Sequence, residues 1–333
     1  MKFISIKVLG LAAAIAILAC LMAASVMLGI KFYSWDRIMA AYNAFDSKNN
    51  EHLVIMTTRV PRALIAALVG GSLAVAGALM QAITRNPLAS PSIFGVNAGA
   101  AFALVLAVSL FDITSVSHFT WISFLGAAVS AILVYILGSV GRDGLTPIKI
   151  TLAGSALTAF FASLTQGVLL SNGKAFSVVL VWLVGSVADR TMAMLLAVLP
   201  YMVAALILAL IISPHINILA MGDDVAKGLG QRTVMIKALA SVAIIILAGG
   251  SVAVAGPVVF IGIIVPHIAR FLVGSDHRVL LPYCAVLGAI LLVGADIGAR
   301  FIAMPKEVPV GVTTALLGVP FFVYIARKGG DSL

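Results

Sequence analysis

From Val8 to Ile30 the sequence carries no charged side chain, and apolar runs of comparable length recur almost to its C-terminus. A bilayer asks for roughly 20 apolar residues per helical crossing, and these runs meet that length. Composition agrees: 62% of the residues are hydrophobic and only 10% charged, against about a quarter charged in a soluble domain. The 333 residues leave room for about eight to ten crossings. No stretch reads as a separate soluble unit. The expectation is an all-α polytopic membrane protein in which residues 1–333 form a single transmembrane domain.

Charges and turn residues bound the runs and predict about ten transmembrane helices. They fall near Val8–Ile30, Pro61–Ile83, Val96–Leu110, Trp121–Val140 and Ile150–Leu170, then Met192–Ile212, Val234–Ala255, a short Val258–Val273, Val279–Ala299 and Val308–Ala326. Near the N-terminus, Ile17-Leu18-Ala19-Cys20 resembles a lipoprotein cleavage site. The run continues well past Cys20 and exceeds a signal core of about 7–15 residues, so it reads as an uncleaved first helix. Cys20 and Cys284 lie in apolar segments without CxxC or metal-ligand spacing, which reads as ordinary buried thiols.

The net charge of +9 comes from basic residues that sit singly at the ends of apolar runs. That pattern fixes topology and does not make a nucleic-acid surface. With both termini inside, the inner set includes Lys7, Arg85, Arg142, Lys227, Arg270 and Arg278. Arg59, Arg62 and Arg300 fall at outer helix ends, against the inside-positive bias, and suggest an external anionic partner. Ala74-Val75-Ala76-Gly77 and Ala253-Val254-Ala255-Gly256 recur in helices expected to run in opposite directions, which reads either as an inverted repeat or as a chance match in so Ala/Val-rich a sequence.

Four segments carry polar chemistry. Gln81, Asn86, Pro87 and Leu88 belong to a proline-broken polar stretch between two apolar helices. It reads either as a simple inner turn or as a gate lining a path, because irregular backbone at membrane depth must face protein or water. The segment Gly222, Asp223, Asp224, Val225, Ala226, Lys227, Gly228, Leu229, Gly230 predicts a short surface helix capped by Asp223 and ended by Gly228 or Gly230. Val225, Ala226 and Leu229 would share one face, suited either to a plain connector or to docking in a partner's groove. Gly256-Pro257 and Pro266-His267-Ile268-Ala269-Arg270 break and punctuate the eighth helix. Asp296 and Arg300 stand at i,i+4 and can pair. The pairs Gly95/Gly99 and Gly294/Gly298 allow close helix contact.

The sequence has no GxxxxGK[ST] loop, so it offers no phosphate cradle of that kind. It has no HExxH or GxSxG either, and no enzyme chemistry is expected of it. An ion-coupled carrier normally needs carboxylates within the membrane, and only Asp296 comes near. The energy source is expected in a partner.

These segments, in order, resemble the iron-siderophore and cobalamin class (FecCD-type, type II) of ABC importer permeases. The match rests on Arg59-Val60-Pro61-Arg62, on Gly77 to Gln81 running into Asn86 to Pro91, and on Leu219 to Gly230. It continues through Gly256 to Gly262, Pro266 to Arg270, Ala295-Asp296 to Arg300, Val308 to Gly311, and Leu317 to Phe322. The resemblance covers nearly the whole chain and looks closest to ferric citrate and ferric-siderophore permeases. One departure, Ile263 where the family more often has leucine, is an apolar exchange.

The resemblance implies a ten-helix subunit in a bacterial cell membrane with both termini cytoplasmic. It would pair with a second permease subunit, identical or paralogous, and with two cytoplasmic ATPase subunits. An extracytoplasmic substrate-binding protein, lipoprotein or periplasmic, would deliver the ferric siderophore. Arg59, Arg62 and Arg300 would then meet acidic residues of the binding protein, Gly222 to Gly230 would dock on the ATPase, and Asn86 and Leu88 would lie at the inner gate. No cofactor, metal or nucleic acid is implied. The alternatives are the same machinery carrying cobalamin or haem, and a stand-alone secondary transporter.

Overall fold

A computed structural model describes residues 2–111, 113, 115–141 and 146–330, and among these the regular structure is entirely helical. Arg142, placed above in the inner basic set, lies outside the described residues. The helices are α1 (Lys2–Met27), α2 (Trp35–Asn43), α3 (Asn50–Leu53), α4 (Val60–Thr84), α5 (Val96–Phe111), α6 (Val116–Ser139) and α7 (Pro147–Ser171). They continue as α8 (Gly173–Leu183), α9 (Met192–Ala220), α10 (Asp223–Gly228), α11 (Thr233–Ala255), α12 (Ile261–Val273), α13 (His277–Ile302) and α14 (Val310–Gly330).

Seven helical segments among the described residues are long and apolar enough to cross a membrane, and the shorter apolar α5, α12 and α14 complete the set read from the sequence. Exposure sorts them. The most apolar window of the α3–α4 segment is 83% buried, whereas that of α1 is 11% buried. Helix α4 is therefore the central post and α1 a peripheral one whose apolar side chains face outward, as lipid contact requires.

The ends of α4 follow from local chemistry. A π-helical turn, Val54–Arg59, leads in, and Pro61 sits where a helix has no use for its N–H. Arg85 stops it in the left-handed region, with φ of 49°, and Pro87 follows. Antiparallel α13 packs on α4 through glycines. A Cβ on Gly70 would fall 2.2 Å from the Gly288 carbonyl oxygen, and one on Gly288 would fall 2.3 Å from that of Gly70. Gly77 meets Gly262 of α12 as closely. Small residues at these crossings let backbones touch.

Several expectations change. Helices α2 and α8 are additional, and α12 begins at Ile261 because Gly256 to Phe260 is irregular. The two AVAG tetrapeptides occupy helices of opposite direction, but Gly77 is mid-helix while Gly256 ends α11 with φ of 72°. Gly99 packs against Gly126 and Ser130, whereas Gly294 and Gly298 have nothing within 4 Å of a built Cβ and border an open groove beside Leu21 and Leu316. Among the described residues, that second pair does not form a close helix crossing.

Candidate functional sites at two ends of one helix bundle

At one end of the bundle, α1 finishes and α4 and α14 begin. Here the structure brings Arg59, Arg62 and Arg300 together around Asp296 and Glu307. Asp296 is 1% exposed. The Arg62 Nη2 donates to Asp296 Oδ1 at 2.8 Å, and its Nε lies 3.0 and 3.1 Å from the two carboxylate oxygens. Arg300 Nη2 reaches Asp296 Oδ2 at 2.5 Å, the i,i+4 pair. Arg62 Nη1 donates to Glu307 Oε2 at 2.6 Å.

The arginines also finish α1. Arg59 donates to the carbonyls of Val26, Met27 and Lys31, and Arg300 to those of Ser25 and Leu28 and to the Ser25 hydroxyl. A helix end leaves four carbonyls without partners, and cations are favoured there. Arg59 further stacks on the Tyr33 ring at 4.5 Å. Each of the three arginines is buried and already engaged within the chain. Glu307, on a surface turn with its side chain 30% exposed, is the one replaceable partner of Arg62. Three guanidiniums against two carboxylates still leave one net positive charge.

At the opposite end, α9 closes and α10 begins two residues later. Gly222 makes the turn with φ of 119° and is the N-cap; Asp223 makes no cap bond and pairs with Lys237 Nζ of α11 at 2.5 Å. This corrects the capping role expected of Asp223. Ala226 points inward, while Val225 and Leu229 are exposed, at 45% and 65%; the expected shared face divides accordingly. Asp224, Lys227, Gly228 and Gly230 are exposed as well.

The gate segment lies at the same end. A Cβ on Gly222 would sit 3.5 Å from Arg85 Nη1. Asn86 Oδ1 accepts the Leu88 N–H at 2.9 Å, folding the loop on itself. Asn86 and Pro87 are exposed and Leu88 half-buried. Buried Gln81 donates to the Gly262 carbonyl at 3.2 Å and accepts from Arg270 of α12. A cavity of about 220 Å³ opens beside Ser90, Ser92, Asn97 and Phe260, where the loop after α4 meets the break before α12. Just before that break the Ala255 carbonyl accepts the Ser186 N–H, and in the irregular segment packed against Pro257 the Gly185 carbonyl accepts the N–H of Gly311. Irregular backbone is thus satisfied within the protein, as membrane depth demands.

His267 is exposed and set edge-on to Phe321 at 5.8 Å, beside Pro266 within α12. No group of three or more His, Cys, Asp or Glu among the described residues is placed to hold a metal ion. The sequence reading missed Glu307, Lys237, Asn217 and Asp276. Asn217 was visible as the lone amide in Ile216-Asn217-Ile218, and Asp276 as a cap before α13.

Residues 16–328 match the FecCD transport family. The chain belongs to that family. It is 54% identical, over 98% of both chains, to the "Probable siderophore transport system permease protein" YfiZ of Bacillus subtilis (strain 168). It is 47% identical to that organism's Fe(3+)-citrate import system permease protein YfmD, covering 84% of this chain and 83% of the relative. Among solved structures it superposes on a metal-chelate type ABC transporter in an inward-facing conformation. That match has a TM-score of 0.83 and 28% identity, over 96% of this chain and 98% of the other. This FecCD-family chain is thus a multi-pass membrane permease.

Proposed function

We propose that this chain is the permease subunit of an ATP-driven importer that carries a ferric chelate, a siderophore or ferric citrate, into the cytoplasm. The observation that carries the mechanism is α10. It stands at one end of the bundle with two apolar side chains exposed, and the sequence has no phosphate loop of its own. An ATPase that grips α10 would supply the energy. The relatives' names support an iron chelate as cargo over cobalamin or haem. In this reading α10 and both termini are cytoplasmic, a second permease completes the path, and two ATPase subunits sit beneath.

Alternating access follows from the layout. Motion of α10 reaches the Arg85–Leu88 loop beside Gly222 and opens or closes that end. A substrate-binding protein docks at the other end, where the cluster's surplus positive charge attracts acids. A secondary-carrier mechanism finds little support, because Asp296, the intramembrane carboxylate such a carrier would use, is already held by the guanidiniums of Arg62 and Arg300.

The deciding experiment is affinity purification of the chain from its host membrane. Co-isolation of an ATPase and a substrate-binding protein, with uptake of 55Fe-citrate lost on ATP depletion, is the expected result. Uptake driven by an ion gradient alone would overturn it. Two finer outcomes follow. Leu229→Glu should lower ATPase association by about tenfold or more without disturbing the bundle, and substitutions at Asp224 or Gly228 should lower transport-coupled hydrolysis. Glu307→Ala frees one Arg62 nitrogen and should tighten binding-protein association by roughly fivefold, about 1 kcal/mol. Weaker or unchanged association would remove Arg62 from the docking face.

A further inference from the structure

Asn217 lies in the last turn of α9, three residues before that helix ends and α10 follows. Its side chain uses both ends of the amide. Nδ2 donates to Asp276 Oδ1 at 2.6 Å, and Oδ1 accepts the His277 N–H at 2.8 Å. The same oxygen lies 2.7 Å from His277 Nδ1, and only a protonated Nδ1 suits that contact. Asp276 is meanwhile the N-cap of α13, accepting the Arg278 N–H at 3.0 Å. Burial alone would raise its carboxyl pKa. The Arg278 N–H, the Asn217 amide and the Arg278 charge outweigh that and hold it below the ordinary carboxylate range. The Asn217 bond is therefore made to a charged acceptor, the stronger kind.

One amide from α9 thus finishes the N-terminus of α13, whose first N–H groups have no partner within their own helix. Helix α13, with Pro282 inside it, then continues to the far cluster. From His277 to Asp296 it rises about 29 Å, at about 1.5 Å per residue. Helix α10 is tied to α11 by Asp223–Lys237, and Gln231, between those two helices, donates to the His215 carbonyl of α9 two residues before Asn217.

We infer that Asn217 is a positioning residue: it clamps the α9–α10 platform to the start of α13, so that movement of α10 is carried along α13 to Asp296 and Arg300. The inference rests on the reading of α10 as the ATPase-gripping helix. It supplies the link that lets a binding protein at one end and an ATPase at the other sense each other. A shared path is established only by measured coupling, so the test is one of coupling.

The complex co-isolated with its ATPase is placed in nanodiscs. Basal ATP hydrolysis is compared with hydrolysis after adding the co-isolated binding protein loaded with ferric citrate, and 55Fe-citrate uptake is measured in cells. Asn217→Ala and Asn217→Asp should leave assembly and basal hydrolysis intact while reducing both stimulation and uptake by about tenfold or more. Asn217→Asp sets one carboxylate against another. Combining it with Asp276→Asn exchanges donor and acceptor and should restore stimulation. Wild-type stimulation in Asn217→Asp, or no recovery in the exchanged pair, overturns the inference. Loss of assembly in Asn217→Asp also overturns it, by making the residue merely structural. If Leu229→Glu leaves ATPase association unchanged, the reading of α10 fails instead.

Discussion

Replacing Asp296 with alanine is expected to cost about 3–5 kcal/mol of stability, the loss typical when one partner is removed from a buried ion pair. The carboxylate is 1% exposed and is the shared acceptor of Arg62 and Arg300. Without it both guanidiniums remain at depth. Arg62 keeps only the half-exposed Glu307, and Arg300 keeps only the carbonyls and hydroxyl at the end of α1. Asp296→Asn should recover part of the loss, since an amide oxygen can still accept. Glu307→Gln should cost no more than about 1 kcal/mol, because water screens that pair. Thermal unfolding in detergent, followed by loss of monodisperse protein, ranks the three. Equal effects for Asp296→Ala and Glu307→Gln would show that Asp296 does not hold the cluster.

That contrast also marks what the sequence could and could not disclose. The spans were legible because an apolar run of membrane length has few other meanings. Helix α2 was not, because Trp35–Asn43 is short and mixes Asp36 and Arg37 with apolar residues on its buried side. Helix α8 hid as an apolar stretch too short to cross, directly behind Asn172-Gly173. The charges at Arg59, Arg62 and Arg300 were conspicuous, and so was the i,i+4 reach of Asp296. Their burial was not, because Arg62 finds Asp296 across 234 residues of sequence and the α1 carbonyls leave no trace in residue type. Glu307 and Asn217 escaped for the same reason: a single polar residue gains meaning only from what folds against it. At α10 the helix was readable, but which residues faced outward was not; Asp223 is drawn to Lys237, leaving Gly222 as the cap.

Glycine packing and the ion cluster belong to one helix pair, and this sets the second large effect. Gly70 and Gly288 touch where α4 crosses α13; Arg62 and Asp296 each lie two helical turns further toward the cluster. Gly288→Val forces a branched side chain into a space where even a Cβ would stand 2.3 Å from a backbone oxygen. Overpacking of this kind typically costs about 1–3 kcal/mol, and here the helices can relieve it only by separating. Separation stretches the 2.8 Å contact between Arg62 and Asp296, so the expected loss exceeds the packing term alone. Gly294→Ala on the same helix is the control. It meets nothing within 4 Å and should be neutral or stabilising by up to about 1 kcal/mol from helix propensity. If the glycine contact acts by holding the ion pair together, Gly288→Val with Asp296→Ala should destabilise by less than the sum of the two single changes. Strict additivity in thermal unfolding would mean that helix spacing and cluster are independent, and that α4 and α13 hold the arginines by some means other than their close approach.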